Sequence, residues 1–124
     1  MASIESYFAA LCARLPDEIE TARFFDIRAR LEGWRRNNCH GNVQAFVAKY
    51  PQYRAVRGWA VNGAQGAHQL DAHSVICDAD DILWDITFPD LAEHGIRFLR
   101  HRGTDEEFCE ARAHREQHFC IARS

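Results

Sequence analysis

Several things are missing from this 124-residue chain, and each absence closes off a reading. There is no Cys-x-x-Cys pair, and five cysteines (Cys12, Cys39, Cys77, Cys109 and Cys120) cannot all pair within one chain. Their wide spacing fits a reducing compartment better than a disulfide framework. No apolar run approaches membrane-spanning length. The opening "MASIESYFAALCARLP" lacks a basic leader and carries Glu5, so it reads as a helix and not as a signal peptide. No block of like charge occurs: 15 basic and 18 acidic residues are interspersed, for a net charge of −3. That excludes a nucleic-acid-binding tail, although "GWRRNN" is a small basic spot. Lysine is nearly absent, with Lys49 alone among arginines. Arginine suits bidentate contacts to carboxylate or phosphate, but a compositional bias of the source genome accounts for it better. No repeat, low-complexity stretch or linker divides the sequence. We expect one domain over residues 1–124, cytoplasmic, engaging neither nucleic acid nor membrane. A secreted effector without a cleavable signal reads the same way. The oligomeric state is not legible.

What is present has a clear order. Ile4, Tyr7, Phe8 and Leu11 stand at helical spacing over residues 3–14. Pro16, with Asp17, Glu18 and Glu20 behind it, can open a second helix reaching about Leu31, with Ile19, Phe24, Ile27 and Leu31 inward and Gly33 as its stop. A third helix starts near Cys39, carries Val43, Phe46, Val47 and Tyr50 on one stripe, and ends at Pro51. The middle then turns to strand composition: "YRAVRGWAVN" (53–62), a loop at "GAQG", "AHSVICD" (72–78) and "ILWDITF" (82–88), with "IRFLRH" (96–101) a fourth short strand. Thr104 and Glu107 form a capping box for a last helix to about His114, after which "HFCIA" is extended. Helices, then an antiparallel meander, then a helix predict an α+β domain with helices against one face of the sheet.

The chemistry centres on "NNCHGN", residues 37–42. A cysteine at a helix start gains from the positive end of the helix dipole and from open backbone N–H groups, which favour the nucleophilic thiolate and can hold an oxyanion. A nucleophile needs a base, and the base an orienting group. His73 and Asp85 can supply these if they share a sheet face. A three-residue loop at 79–81 achieves this by setting Asp78 opposite Ile82 and Val75 opposite Asp85, which makes His73 and Asp85 diagonal neighbours. A two-residue turn would put them on opposite faces.

A cysteine opening a helix, a strand "VRGWAV", a strand beginning "AHSVI" and then "LWDIT" resemble the transglutaminase-like superfamily of papain-like thiol enzymes over roughly residues 34–88. The resemblance implies a transglutaminase-like (papain-like) core, with N-terminal helices packed on a small antiparallel sheet. It also implies Cys39 as nucleophile, His73 as general base and acid, and Asp85 as the residue orienting His73. It departs where many members carry an aromatic residue after the cysteine and another after the histidine. Here those positions are His40 and Ser74, and "DIT" stands for Asp-Pro-Thr.

Each residue also has a plainer reading. Cys39 can be an inert core cysteine. Asn37 or Asn38 can donate to an oxyanion, or Asn38 can cap the helix. Trp34 can wall a substrate cleft or lie in the core. His40, next to Cys39 on a helix, is expected to point elsewhere, at the surface or the substrate's edge. His68, in the loop before the strand, is a substitute base. Cys109, His114, His118 and Cys120 lie within twelve residues, but their spacing matches no common zinc module. The expected function is therefore cysteine-dependent acyl transfer on a peptide bond or a glutamine side chain. Hydrolysis, deamidation and transamidation all stay open, with no cofactor or metal and a protein or peptide as substrate, and a toxin or effector domain is one role for it. The alternatives are a non-catalytic protein-binding module on the same fold and a zinc protein using the C-terminal cluster.

Overall fold

The computed structural model describes residues 3–63 and 67–121. Helix α1 (Ile4–Ala13) leads into strand β1 (Glu20–Phe24) and a 3-10 turn at Arg28–Arg30. Helix α2 (Cys39–Lys49) is followed by strands β2 (Arg54–Asn62), β3 (Ala67–Cys77) and β4 (Leu83–Asp85). A second 3-10 turn (Pro89–Leu91), strand β5 (Ile96–Arg100), helix α3 (Asp105–His114) and strand β6 (Gln117–Ile121) complete the described elements.

Local signals explain the helices. Ser3 caps α1 by accepting a hydrogen bond from the Ser6 N–H, and Phe8 and Leu11 are its buried face. Thr104 and Glu107 form the full reciprocal capping box on α3. In α2, Cys39, Asn42, Val43 and Phe46 form one buried stripe. No helix among the described residues is long and apolar enough to cross a membrane.

The expected packing of N-terminal helices on an open antiparallel sheet, with a transglutaminase-like core, is overturned. The sheet runs β2-β5-β1-β4-β3 and closes on itself through a long antiparallel β2–β3 pairing, making a five-stranded barrel; β6 is a lone sixth strand beside β3. The segment expected to be a helix from Pro16 to Leu31 is responsible. Residues 20–24 instead pair antiparallel with β5 and parallel with β4, which bridges two strands that the sequence order alone leaves apart. Ala22 points into the barrel, while Ile27 and Leu31 are still buried, delivered by a 3-10 turn instead of an α-helix. The interior is narrow and holds Ala22, Val75, Cys77, Leu83 and Phe98. Gly58 is needed there, because a Cβ would sit on the Leu99 carbonyl oxygen and 2.6 Å from Phe98 Cζ.

Two apolar layers cover the barrel's outside. Phe8, Leu11, Trp59, Leu70, Leu99 and Phe108 join α1 and α3 to the sheet. Val43, Phe46, Ile76 and Ile86 join α2 to it. Each such large apolar side chain contributes roughly 1.5–3 kcal/mol on full burial. Arg100 links β5 to β1 and to the 79–81 loop through Glu20 (2.6 and 3.0 Å) and Asp81 (3.0 Å).

Strand lengths differ from expectation. β3 starts at Ala67, not 72, and β4 ends at Asp85, not 88. Residues 64–66 of the expected "GAQG" loop and Ala122 lie outside the described residues. The expectation of free cysteines is also corrected: Cys12 on α1 and Cys120 on β6 form a disulfide, leaving Cys39, Cys77 and Cys109 free. Spacing could not reveal it, since the partners are 108 residues apart and meet only once α1 and β6 pack side by side.

Candidate active site

Strand β3 sets the geometry. One of its edges pairs with β2 over Gln69–Cys77, while on the other β6 covers residues 67–71 and β4 covers Ile76 and Cys77. Between them, among the described residues, His73, Ser74 and Val75 have no strand partner on that side, and α2 packs against β3. The pairing Ile76↔Trp84 and Cys77↔Leu83 is the register that a three-residue 79–81 loop requires. His73 and Asp85 therefore share the face that carries Val75 and Leu83.

His73 Nε2 lies 3.0 Å from Asp85 Oδ1, with the two side chains 2% and 1% exposed. Both carboxylate oxygens are engaged: Oδ1 also accepts from the Thr87 N–H (3.3 Å), and Oδ2 from the Phe88 N–H (3.0 Å). Burying a carboxylate this completely requires such donors. Phe88 stacks on the His73 ring at 5.0 Å and Phe98 meets its edge at 6.3 Å, so the imidazole is held on both sides.

Cys39 is the first residue of α2 and is buried. Burial works against its thiolate, but hydrogen bonds from His40 and His73 outweigh it and bring the thiol down to about 5. Burial likewise works against the His73 imidazolium, yet Asp85 and Cys39 carry it up to about 9. Both shifts run toward a thiolate–imidazolium pair at neutral pH. The Asn38 side chain makes no capping hydrogen bond, so the first-turn N–H groups of α2 lack the usual side-chain acceptor. A cleft of about 550 Å³ opens here, lined by Cys39, His73, Asn37, His40, Phe88 and Leu91 among others.

The remaining expected residues divide. Asn37 lines the cleft and, with φ 62°, turns the chain into α2, a conformation asparagine tolerates. Asn38 stands at the N-cap position without capping; its side chain lies over Gly41, where a Cβ would meet Asn38 Nδ2 at 2.5 Å. Trp34 does not line the cleft. It packs with the α2 core and donates from Nε1 to the Ile86 carbonyl (2.7 Å), fastening the loop before α2 to the segment just after β4. His68 lies in β3 opposite Cys120 and does not line the cleft.

The C-terminal four do not assemble. Cys109 is exposed on α3, and Cys120 is bonded to Cys12. The described residues do gather Cys12, His118 and Cys120, with ligand atoms within 4.8 Å of one another. There both sulfurs are joined and the Arg115 guanidinium stands 3.2 Å from His118 Nδ1.

One polar residue escaped the sequence reading, and the contacts of another did. Asn42 is buried, accepts from the Arg35 N–H (3.0 Å), and donates to the Arg35 carbonyl (2.8 Å) and to Thr87 Oγ1 (3.2 Å). It ties together the loop before Cys39, the helix, and the turn after Asp85. Its signal was available: an asparagine three residues after Cys39 falls on the apolar stripe. His40, expected at the surface or the substrate's edge, lines the cleft and turns its ring to β3, with Nδ1 2.5 Å from Ser74 Oγ. A search of protein-family models, one of curated proteins and one of solved structures each found no match for the chain.

Proposed function

We propose that this protein is a cysteine-dependent acyl-transfer enzyme acting on an amide carbonyl, with Cys39, His73 and Asp85 as its triad. One observation carries the reading: a single buried imidazole is bonded to a carboxylate with donors on both oxygens and lines one cleft with the thiol at a helix start. A structural histidine needs neither the thiolate nor the adjoining cleft. In this mechanism the Cys39 sulfur attacks the carbonyl carbon and an oxyanion forms beside the open N–H groups of α2. His73 Nδ1–H protonates the leaving amine, and water or an amine resolves the acyl-enzyme. Asp85 keeps the imidazolium oriented through Nε2–H. The order and element types of these three residues are those of the transglutaminase-like thiol enzymes that residues 34–88 resemble. A peptide bond or a glutamine side chain is the proposed target.

The test begins with iodoacetamide at neutral pH, followed by peptide mapping. Cys39 is expected to be alkylated about tenfold faster than Cys109, since a depressed thiol offers far more thiolate although each thiolate is less nucleophilic. Mass spectrometry of a glutamine-rich peptide mixture, incubated with and without a primary amine, then reads hydrolysis, deamidation or transamidation. Cys39→Ala is expected to abolish whichever appears. Equal labelling of Cys39 and Cys109 with no product leaves only a binding module.

A further inference from the structure

We propose that His40 is a second catalytic imidazole, one that donates a hydrogen bond to the oxyanion formed at Cys39 and takes no part in proton transfer. This rests on the acyl-transfer reading above. The argument is one of hydrogen counting. Ser74 is fully buried. The Arg57 guanidinium has donors only, and its Nη1 donates to Ser74 Oγ at 2.8 Å. The single Ser74 hydroxyl proton then has His40 Nδ1, at 2.5 Å, as its acceptor among the described contacts. Nδ1 therefore accepts, and the His40 proton sits on Nε2. An imidazole fixed this way has an N–H to offer and no free lone pair with which to act as a base.

His73 is fixed in the complementary sense. Its Nε2–H is given to Asp85, so Nδ1 is the nitrogen left to exchange a proton with sulfur. The two histidines beside Cys39 thus divide the work: one moves a proton, the other only donates. His40 lines the cleft together with Cys39 and His73, and its ring packs edge-on to Phe108 at 5.9 Å. In the resting site His40 favours the Cys39 thiolate and shares its cleft, so the sulfur is the charge its N–H faces. When sulfur attacks, the carbonyl π pair moves to oxygen and the sulfur loses its charge. The N–H then has the new oxyanion as its acceptor. Collapse re-forms the carbonyl and expels the leaving group, and His40 ends with the proton it began with.

Two probes separate this role from simple support of the thiolate. Acylation of Cys39 by p-nitrophenyl acetate passes through an oxyanion; alkylation by iodoacetamide displaces iodide and does not. His40→Ala is expected to slow acylation about a hundredfold, the usual cost of losing one oxyanion donor. Alkylation, measured at a pH where the thiolate is fully formed, is expected to fall much less. His40→Gln, which keeps an amide N–H, should recover part of the loss. Ser74→Ala keeps the ring but frees its tautomer, so it should fall between the two, and it serves if His40→Ala does not fold. Acylation and alkylation falling in parallel in these variants would overturn the proposal while leaving the triad standing, as would acylation at the wild-type rate. A wild-type protein alkylated at Cys39 but never acylated would remove the acyl-transfer reading itself, and this inference with it.

Discussion

His73 Nε2 stands 3.0 Å from Asp85 Oδ1, with both side chains buried. Every acceptor direction on the Asp85 carboxylate that the described residues use meets an N–H: His73 and Thr87 at Oδ1, Phe88 at Oδ2. Asp85→Asn must therefore turn an NH2 group against one of these donors. If it faces His73, the imidazole proton is forced to Nδ1, the nitrogen that must receive the thiol proton. The expected result is a loss of about 10²–10⁴ in kcat with Cys39 still present, read against the wild type on the same substrate. A drop of about 1–3 kcal/mol in urea unfolding should accompany it, the cost of one unsatisfied buried donor.

The pH profile follows from the directions of the two shifts. The thiol is brought down to about 5, so thiolate accumulates as pH rises through that value. His73 is carried up to about 9, so the general acid persists until pH passes that value. A plot of kcat/KM against pH should rise near 5, stay level through neutrality and fall near 9, with both limbs belonging to the coupled pair. Removing the Asp85 carboxylate should move the alkaline limb to lower pH. A profile that only begins to rise above pH 8 would mean that no ion pair exists.

Asn42 makes three hydrogen bonds in a buried position. Asn42→Ala leaves the Arg35 N–H and carbonyl without their partner. About 2 kcal/mol of destabilisation is expected by chemical denaturation. Because Arg35 and Thr87 flank the cysteine and aspartate segments, iodoacetamide labelling of Cys39 should also slow in this variant. An unchanged labelling rate would reduce Asn42 to a purely structural residue.

The Cys12–Cys120 disulfide closes nearly the whole chain into one loop, with a sequence separation of 108. Loop-closure entropy for such a length is worth up to about 5 kcal/mol. Thiol titration of the denatured, unreduced protein should find three free thiols, Cys39, Cys77 and Cys109. Reduction, or the double Cys12→Ala, Cys120→Ala variant, should lower Tm. Five titratable thiols would show that the bond does not form.

The local parts of this protein are written in its sequence. Capping residues mark α3, the apolar stripe marks α2, and the three-residue connection at 79–81 fixes which residues of β3 and β4 share a face. These features depend on neighbours a few positions away, and they bring His73 and Asp85 together. The barrel is different. Whether residues 20–24 coil or extend is decided by partners at Trp84–Asp85 and Ile96–Phe98, more than sixty positions on, whose backbone groups outweigh the helical pattern of the segment. The same holds for the Cys12–Cys120 bond, for Trp34 turning to the Ile86 carbonyl, and for His40 turning to Ser74. Sequence determined which chemical groups were available and which neighbours could share a face. Closure of the sheet decided which distant groups met, because hydrogen bonding across strands is indifferent to how much chain lies between them.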